Sequence, residues 1–335
     1  KHDLVRLLEE YSLDSVNDTV DDINDGKHDF EELFIDQTKE HTRAFIKVQD
    51  GCNQFCSYCI IPYARGRVRS RNLEHVLEEV RTLAASGYKE VVLTGIHLSS
   101  YGKERPEEQE NLLTLIQAVH EVDGIERIRL GSLEPGIITK EFAKAISSLP
   151  KVCPHFHLSL QSGCTATLKR MNRRYTAQEY REKCEILRKY YPAPALTTDV
   201  ITGFPGETEE DFQETLDVVR KANYDTAFTF IYSKRSGTPA AGMENQVPED
   251  VVKDRFSRLL TLVQEKGREN SSRFQGTIQE ILVEDENREK GTLTGRTQHN
   301  LLVHFPGDKE LIGKYVNVSL DTCKGFYYFG HIVEE

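Results

Sequence analysis

Three cysteines within eight residues form the group of this sequence best suited to chemistry. Cys52, Cys56 and Cys59 follow the spacing CxxxCxxC directly after an apolar, strand-like run. Structural zinc takes four protein ligands, and ordinary ferredoxin clusters take four cysteine thiolates. Because no fourth ligand lies close by in the sequence, the trio predicts a metal centre that keeps one coordination position open for chemistry.

Three other interpretations of the trio stay open at this point. A structural zinc ion would need a fourth ligand from elsewhere, and His41 and Cys153 are the candidates. A disulfide framework is disfavoured because the seven cysteines are odd in number and spread over 335 residues. The third interpretation is three buried structural cysteines, although the Gly, Asn, Gln and Ser residues around them favour a loop.

The composition, with 38% hydrophobic and 29% charged residues, is typical of a globular protein with more than one domain. The sequence shows no secretory leader and no apolar run of eighteen residues. These features predict a cytoplasmic protein with reduced thiols and no membrane partner.

The net charge of −11 is concentrated at the N-terminal end of the chain. Residues 1–40 hold 4 of the 43 basic and 13 of the 54 acidic side chains, so the remainder is nearly neutral, with 39 against 41. Local basic runs can therefore still bind phosphate, although each run is equally consistent with a solvated helix face. The two runs comprise Arg65, Arg67, Arg69 and Arg71, and Lys169, Arg170, Arg173 and Arg174.

Strand-like and helix-like runs alternate from residue 44 onward. Six β-α units in series predict a parallel sheet, either open and doubly wound or closed into a partial or complete barrel. In each of these folds, ligands bind beyond the carboxyl ends of the strands. The predicted strands lie near residues 44–48, 90–94, 127–131, 155–159, 196–202 and 226–232. The predicted helices lie near residues 73–85, 111–122, 139–149, 177–190, 209–222 and 248–268.

The loops after the first five predicted strands carry the unusual residues of the chain. The cysteine loop follows the first strand, and residues 94–97, 132–135, 161–163 and 203–207 follow the next four. Each loop has a plain structural explanation, since Thr208 and Asp211 have capping-box spacing, for example. Their common placement at one end of the sheet nevertheless predicts a shared site.

The last sixty residues have a different pattern from the rest of the chain. Short alternating runs separated by turn residues predict a small antiparallel β-barrel. Small barrels often bind oligonucleotides, but residues 273–335 hold 7 Lys or Arg against 10 Asp or Glu. A nucleic-acid function therefore depends on a few groups such as Arg296, His299 and Asn300. The runs cover residues 274–283, 291–296, 301–305, 315–320 and 326–332.

Several of these segments together resemble one family, the radical SAM methylthiotransferases, over residues 41–335. Two of the segments, residues 63–66 and 130–135, are most similar to the MtaB-type branch, which acts on N6-threonylcarbamoyladenosine at tRNA position 37. The resemblance therefore predicts methylthiolation of that nucleoside. It is carried by residues 52–67, 157–163, 171–173, 199–208 and 232–239.

The resemblance also implies a domain organisation. Residues 41–271 would form an α/β radical SAM domain, a partial (β/α)6 barrel. Residues 272–335 would form a TRAM-like β-barrel that holds the tRNA anticodon stem-loop. Residues 1–40 would be the remnant of an N-terminal methylthiotransferase domain followed by an acidic linker.

The chemistry implied by the resemblance matches the open metal site. Cys52, Cys56 and Cys59 would bind three irons of a [4Fe-4S] cluster, and S-adenosylmethionine would bind the fourth. The 5′-deoxyadenosyl radical would take the hydrogen from C2 of the adenine, which a methylthio group then replaces, with no protein general base. The implied cofactor contacts are Tyr58, Thr94, Gly95, Glu134, Ser159, Gln161, Arg173, Asp199 and Gly203. The implied RNA contacts are Arg65, Arg67, Arg296 and His299.

The sequence departs from the family pattern in one respect. The family carries three further cysteines for a second [4Fe-4S] cluster in its N-terminal domain, and none precedes Cys52 here. We therefore expect this chain to bind one cluster and cleave S-adenosylmethionine without completing sulfur insertion. The reductant and the sulfur source are partners that the sequence does not identify.

Three rival functions remain at this stage. The substrate within the same family could instead be isopentenyladenosine in tRNA or an aspartate of a ribosomal protein. A non-catalytic RNA-binding protein with structural zinc would also fit the cysteines. A radical enzyme with a small-molecule substrate is disfavoured by the C-terminal barrel.

Overall fold

The computed structural model describes residues 42–287 and 291–333, together with residues 9, 23, 29–32 and 34. The predicted remnant and linker at residues 1–40 therefore fall outside the described part of the chain, apart from those seven positions. His41, one of the two candidate zinc ligands, also lies outside it.

Seven strands form an incomplete barrel made of two sheets. One sheet has the order β2-β1-β3-β4 and the other the order β5-β6-β7, and every pairing is parallel except that of β1 with β2. Isolated parallel bridges, Ile128 to Val152 and Leu133 to Leu158, connect the two sheets. In the described residues β7 pairs only with β6, so the barrel is partial, as predicted. The strands are β1 Arg43–Asp50, β2 Arg69–Ser70, β3 Glu90–Gly95, β4 Arg127–Leu130, β5 His155–His157, β6 Ala195–Thr202 and β7 Thr226–Ile231.

Helices cover the outside of the strands, and their ends follow local capping chemistry. The Thr176 and Thr208 hydroxyls each accept the backbone N–H of the third helical residue, whose carboxylate in turn accepts from the cap N–H. Two short helices, α1 and α5, were not predicted because they span too few residues for a helical period to show. The helices are α1 Ile61–Ala64, α2 Leu73–Ala85, α3 Leu112–His120, α4 Lys140–Ser147, α5 Thr165–Arg170, α6 Ala177–Tyr190, α7 Glu209–Ala222 and α8 Glu249–Ser271.

Alternation along β6 separates the hydrophobic core from the barrel interior. Leu196 and Val200 are buried in one cluster with Leu187 of α6 and Leu216 of α7. Because successive side chains of a strand point to opposite faces, Asp199 and its alternate neighbours face the barrel interior. The interior therefore receives the polar residues that the site needs.

The C-terminal residues form a closed five-stranded barrel in the order β10-β12-β11-β8-β9. Ile281, Val303, Leu320 and Tyr328 fill its core. The predicted small antiparallel barrel is confirmed, except that one pair, β10 and β12, runs parallel. An odd number of strands in a closed ring cannot alternate direction all the way round. The strands are β8 Ile278–Asn287, β9 Thr292–Arg296, β10 Leu302–Phe305, β11 Tyr315–Cys323 and β12 Tyr327–Ile332.

A buried cluster of charges joins the two barrels. Glu90 is fully buried and accepts a hydrogen bond from Arg129 Nε at 2.8 Å. Arg129 Nη1 also donates to the Gln298 carbonyl at 2.9 Å, and Arg127 Nη2 donates to the Glu280 carbonyl at 2.8 Å. The arginines thus connect a carboxylate of the partial barrel to the backbone of the C-terminal barrel.

Among the helices in the described part of the chain, none is long and apolar enough to cross a membrane.

The charge cluster predicts the effect of replacing Glu90. Burial alone would raise the pKa of Glu90, but Arg129 and the other nearby arginines lower it below its usual value of 4.5. Glu90→Gln leaves buried arginines uncompensated, and we expect a loss of about 3 kcal/mol in the free energy of unfolding at pH 7. The pKa of Glu90 is lower in the folded state than in the unfolded state. The stability that the ionised Glu90 gives the wild type over the variant is therefore lost progressively as the pH falls below about 4.5.

Urea unfolding at pH 7 and pH 4 measures this difference. Glu126→Gln is the matched control, because Glu126 is half-exposed and pairs with Lys89 at 2.7 Å on the surface. We expect that control to lose about 0.5 kcal/mol or less. Equal losses for the two variants would contradict the role given to Glu90.

Candidate active site

The cysteine loop lies after β1 and is held by backbone hydrogen bonds. The Cys52 N–H donates to the Gly66 carbonyl at 3.0 Å. The Ser57 N–H donates to the Met171 carbonyl at 3.0 Å, and the Ser57 hydroxyl donates to the Arg170 carbonyl at 2.8 Å. The loop is therefore positioned by its own continuation and by the turn that follows α5.

Two residues of the loop require left-handed backbone. Gly51 has φ +68°, and a Cβ there would lie 1.8 Å from the Arg67 carbonyl oxygen. Phe55 has φ +50°, and its carbonyl accepts a hydrogen bond from Asn172 Nδ2 at 2.8 Å. The second contact stabilises a conformation that a phenylalanine rarely adopts.

The three thiols share one electrostatic environment. Burial raises the pKa of Cys52, and the neighbouring Cys56 and Cys59 raise it further. Burial also raises the pKa of Cys59, whereas Arg173 acts on both groups in the opposite direction. Cys52 and Cys59 need a cationic partner or a metal to become thiolates at neutral pH.

The three cysteines supply an all-thiolate donor set, the kind that iron-sulfur clusters use. Within residues 42–287 and 291–333, no three His, Cys, Asp or Glu side chains are arranged around one point as ligands of one ion. Thiolates of an iron-sulfur cluster each bind a different iron, so they need no common centre. The binding of a cluster by the trio stays a prediction.

Arg173 links the cysteine loop to the end of β5. Its Nη1 donates to Cys56 Sγ at 3.4 Å, and its Nε donates to the Tyr175 hydroxyl at 2.9 Å. The Tyr175 hydroxyl donates in turn to the Ser159 carbonyl at 2.6 Å. Arg173 and Ser159 are predicted cofactor contacts, whereas Tyr175 was not predicted, because no sequence signal indicates its connecting role.

Tyr58 packs into a small apolar cluster behind the cysteine loop. Its ring meets Phe204 edge-on, with 6.3 Å between ring centroids, and Phe204 meets Tyr232 in the same way at 5.4 Å. Burial raises the pKa of Tyr58 well above its usual value, and Cys56 raises it further. Tyr58 thus stays neutral beside the thiols.

Three predicted cofactor residues on the β3 and β4 loops have definite structural contacts. The Thr94 hydroxyl donates to the Ile46 carbonyl at 3.1 Å. A Cβ on Gly95 would lie 2.9 Å from the Gln49 side chain, so only glycine fits there. The Glu134 carboxylate accepts the Gly136 N–H at 3.0 Å. Their roles toward a cofactor remain predictions.

The predicted residues on β6 and the neighbouring loops lie at the same end of the barrel. Gln161 has φ +67°, and its backbone pairs with Asp199 and Ile201. The Asp199 carboxylate lies 3.0 Å from His157 Nε2. Gly203 has φ +76°, and a Cβ there would lie 2.5 Å from the Val252 side chain. The strand-end placement agrees with the expected convergence, and the cofactor roles stay predictions.

The predicted RNA contacts differ in how accessible they are. Arg65 is paired with Asp50 at 3.0 Å, whereas Arg67 is exposed and lies 4.6 Å above the Phe55 ring. Arg296 is paired with Glu284 at 3.2 Å. Burial lowers the pKa of His299 to about 4, so this imidazole is neutral at pH 7. Of these four, Arg67 is the exposed cation, and all four roles remain predictions.

A cavity of about 230 Å³ separates the two barrels. The partial barrel contributes residues from β5, β6 and β7, and the C-terminal barrel contributes the turn after β9. This cavity could not be predicted from the sequence, because the residues that form its two walls are far apart along the chain. Its lining includes His155, His157, Phe228, Arg296, His299 and Phe326.

Two family models match the chain. The radical SAM superfamily model matches residues 46–219, which include the cysteine loop and the β6 strand end. The TRAM domain model matches residues 272–333, the closed C-terminal barrel. The two models thus correspond to the two structural units.

Curated relatives decide the family. The chain is 49% identical over 306 residues to the tRNA-2-methylthio-N(6)-dimethylallyladenosine synthase of Lachnoclostridium phytofermentans, covering 91% of this chain and 67% of that protein. It is 44% identical over 324 residues to the synthase of the same name from Acetivibrio thermocellus, covering 96% and 67%. The chain belongs to the radical SAM methylthiotransferases. The members of this family are transferases. The chain spans about two thirds of the length of these relatives.

One finer prediction is not supported. The resemblance favoured the MtaB-type branch for threonylcarbamoyladenosine, whereas both of these methylthiotransferase relatives are named for dimethylallyladenosine. The short segments at residues 63–66 and 130–135 were too few to separate the branches. Among solved structures, coproporphyrinogen III oxidase of Escherichia coli has the same kind of fold, with a TM-score of 0.51 at 14% identity over 68% of this chain and 54% of that one.

The backbone of the cysteine loop predicts a steep cost for a methyl group at Gly51. Gly51→Ala adds a Cβ that collides with the Arg67 carbonyl and displaces the hydrogen bond from Cys52 to Gly66. Gly87→Ala is the matched control, because Gly87 has φ +93° and open space around it. We expect the control to lose about 1 kcal/mol of stability from the left-handed conformation alone.

Urea unfolding of the reduced, metal-free protein compares the two variants. Gly51→Ala should lose clearly more free energy of unfolding than the control. If both variants lose the same free energy of unfolding, the close contact at Gly51 does not contribute to the cost of the substitution.

Proposed function

We propose that this chain provides the radical SAM and TRAM parts of a tRNA methylthiotransferase that acts on C2 of N6-dimethylallyladenosine, also called isopentenyladenosine. The substrate assignment is supported by the name that the relatives at 49% and 44% identity share. We further propose the division into residues 41–271 and 272–335, which the two family models support.

In this proposal, Cys52, Cys56 and Cys59 bind a [4Fe-4S] cluster, and S-adenosylmethionine binds beside it. When bound, these groups supply one-electron chemistry at an unreactive C–H bond. The chain's own task is to hold them against one carbon atom and to exclude water. No side chain is proposed as a general base.

In this proposal Arg173 positions the thiolates. Its guanidinium donates to Cys56 Sγ at 3.4 Å and is oriented by the Tyr175 hydroxyl. The fixed positive charge of Arg173 lowers the pKa of Cys52 and so opposes the increase that burial causes. Tyr58 and Phe204 close the site on its apolar side, which keeps water away from the thiolates.

The C-terminal barrel would bind the anticodon stem-loop and present the target base to the partial barrel. The charge cluster around Glu90 and Arg129 fixes the two barrels relative to each other. Because the adenine edge is inaccessible in a stacked loop, the target base has to be splayed out. The electron donor and the sulfur source would come from other proteins or small molecules.

Metal binding by the trio is tested with alanine variants. Anaerobic reconstitution of the wild type should give about four irons per trio-bound cluster. Cys52→Ala, Cys56→Ala and Cys59→Ala should each lose most of this iron. Cys323→Ala is the control, because that free, partly buried cysteine lies in the C-terminal barrel. One zinc per chain in the wild type, or unchanged iron in the three variants, would contradict the proposal.

The substrate is tested in cells of the source organism. Deleting the gene should remove 2-methylthio-N6-dimethylallyladenosine from the tRNA and leave N6-dimethylallyladenosine in its place. Mass spectrometry of the digested nucleosides, with a complemented strain as control, measures both. If the dimethylallyl nucleosides stay unchanged and a methylthiolated threonylcarbamoyladenosine disappears, the substrate proposal is wrong.

A further inference from the structure

Two phenylalanines on β7 present an apolar surface to the inside of the partial barrel. Phe228 and Phe230 are 52% and 49% exposed, while Ala227, directly before Phe228, is buried in the core on the opposite face, where α8 packs. The parallel register places Phe228 beside Asp199 and Phe230 beside Ile201. The two rings therefore share the interior face with the predicted cofactor residues of β6.

Two arginines near the cavity beside these rings are engaged in ion pairs. Phe228 also lines the cavity between the barrels. Within the described residues, Arg296 at this cavity pairs with Glu284 at 3.2 Å. Arg273 pairs with the cavity residue Asp225 at 2.6 Å. The centroid of the His157 ring lies 5.9 Å from that of the Phe228 ring, and His157 Nε2 is hydrogen-bonded to the Asp199 carboxylate.

We propose that Phe228 and Phe230 contact the dimethylallyl group of the target nucleoside and determine the preference for it. This inference rests on the proposed function. Transfer of a branched five-carbon group from water onto two phenyl rings is favourable, because it buries apolar surface on both sides. A threonylcarbamoyl group carries a carboxylate and a hydroxyl, which would lose hydration against the two phenyl rings.

Placement on the β6 and β7 interior face makes the two rings continuous with the site. In an adenine whose C2 faces the cysteine end of the barrel, the N6 substituent leaves the ring from C6, two ring atoms away from C2, and so points away from the reacting carbon. The aromatic rings of β7 offer that substituent an apolar wall, and exposed apolar patches of this kind mark binding surfaces. Phe228 and Phe230 are thus specificity residues, which contact substrate away from the reacting atom.

The test measures binding, so it does not require an active cluster. Three synthetic anticodon stem-loop RNAs differ only at the target adenosine, which is unmodified, dimethylallylated or threonylcarbamoylated. The full chain is titrated with each RNA, and the ratio of dissociation constants gives the preference. Phe228→Leu and Phe228→Asn form a matched pair, because Leu and Asn have nearly the same shape and differ in polarity. The same pair is made at Phe230.

We expect the wild type to bind the dimethylallyl RNA more tightly than the other two. The Asn variants should lose this preference by roughly tenfold, the discrimination that a small apolar group gives in a hydrophobic site. The Leu variants should keep most of it. Ile312→Asn, at an exposed position of the C-terminal barrel, should leave the ratio unchanged. Thermal unfolding verifies that each variant is folded.

The possible results separate the inference from the proposed function. If the Asn variants weaken all three RNAs equally, or leave the wild-type preference intact, the inference is wrong and the proposed function stands. If the wild type itself prefers the threonylcarbamoyl RNA, the proposed substrate is wrong, and the inference with it.

Discussion

The site depends on backbone hydrogen bonds that tie the cysteine loop to loops from other strands. The Ser57 N–H bonds to the Met171 carbonyl, and the Ser57 carbonyl accepts the Ala240 N–H at 2.8 Å. A loop of this kind has little hydrophobic core of its own, so its shape is set by these partners. Together with the hydrogen bond from Cys52 to Gly66, the turns near residues 171 and 240 hold the cysteine loop in place. The same turns bring Arg173 to Cys56.

The second constraint is the buried charge cluster between the barrels. A buried carboxylate with several arginines is costly to desolvate, and its value lies in geometry more than in stability. Here the arginine donors reach backbone carbonyls of the C-terminal barrel as well as Glu90. Such contacts fix the angle at which an RNA held by one barrel would meet the interior of the other. They also place the Phe228 ring of β7 beside the cavity between the barrels.

Local patterns in the sequence predicted most of the elements. Helices α2 and α7 begin and end at the predicted residues, because an amphipathic period and a capping residue mark both. Strand β6 was predicted to within one residue at its start. The parallel strand order also implied that the loops after successive strands would meet at one end.

The remaining features depend on contacts between distant residues, which no local pattern contains. Glu90 and Arg127 begin β3 and β4, and Arg129 is the third residue of β4. In the sequence such charges resemble a solvated surface, but in the structure they are buried. Phe228 and Phe230 resemble ordinary core residues of a strand, yet the open barrel leaves them exposed. The substrate branch was misjudged for a related reason, since two short segments cannot represent the whole binding surface.

The central claim is that three thiolates hold an iron-sulfur cluster with one position open to S-adenosylmethionine. The most direct measurement is the electron paramagnetic resonance spectrum of the reduced, reconstituted protein before and after S-adenosylmethionine is added. Our account predicts the signal of a reduced [4Fe-4S] cluster whose g values change when S-adenosylmethionine binds. A spectrum with no cluster signal, or one that S-adenosylmethionine leaves unchanged, would contradict it.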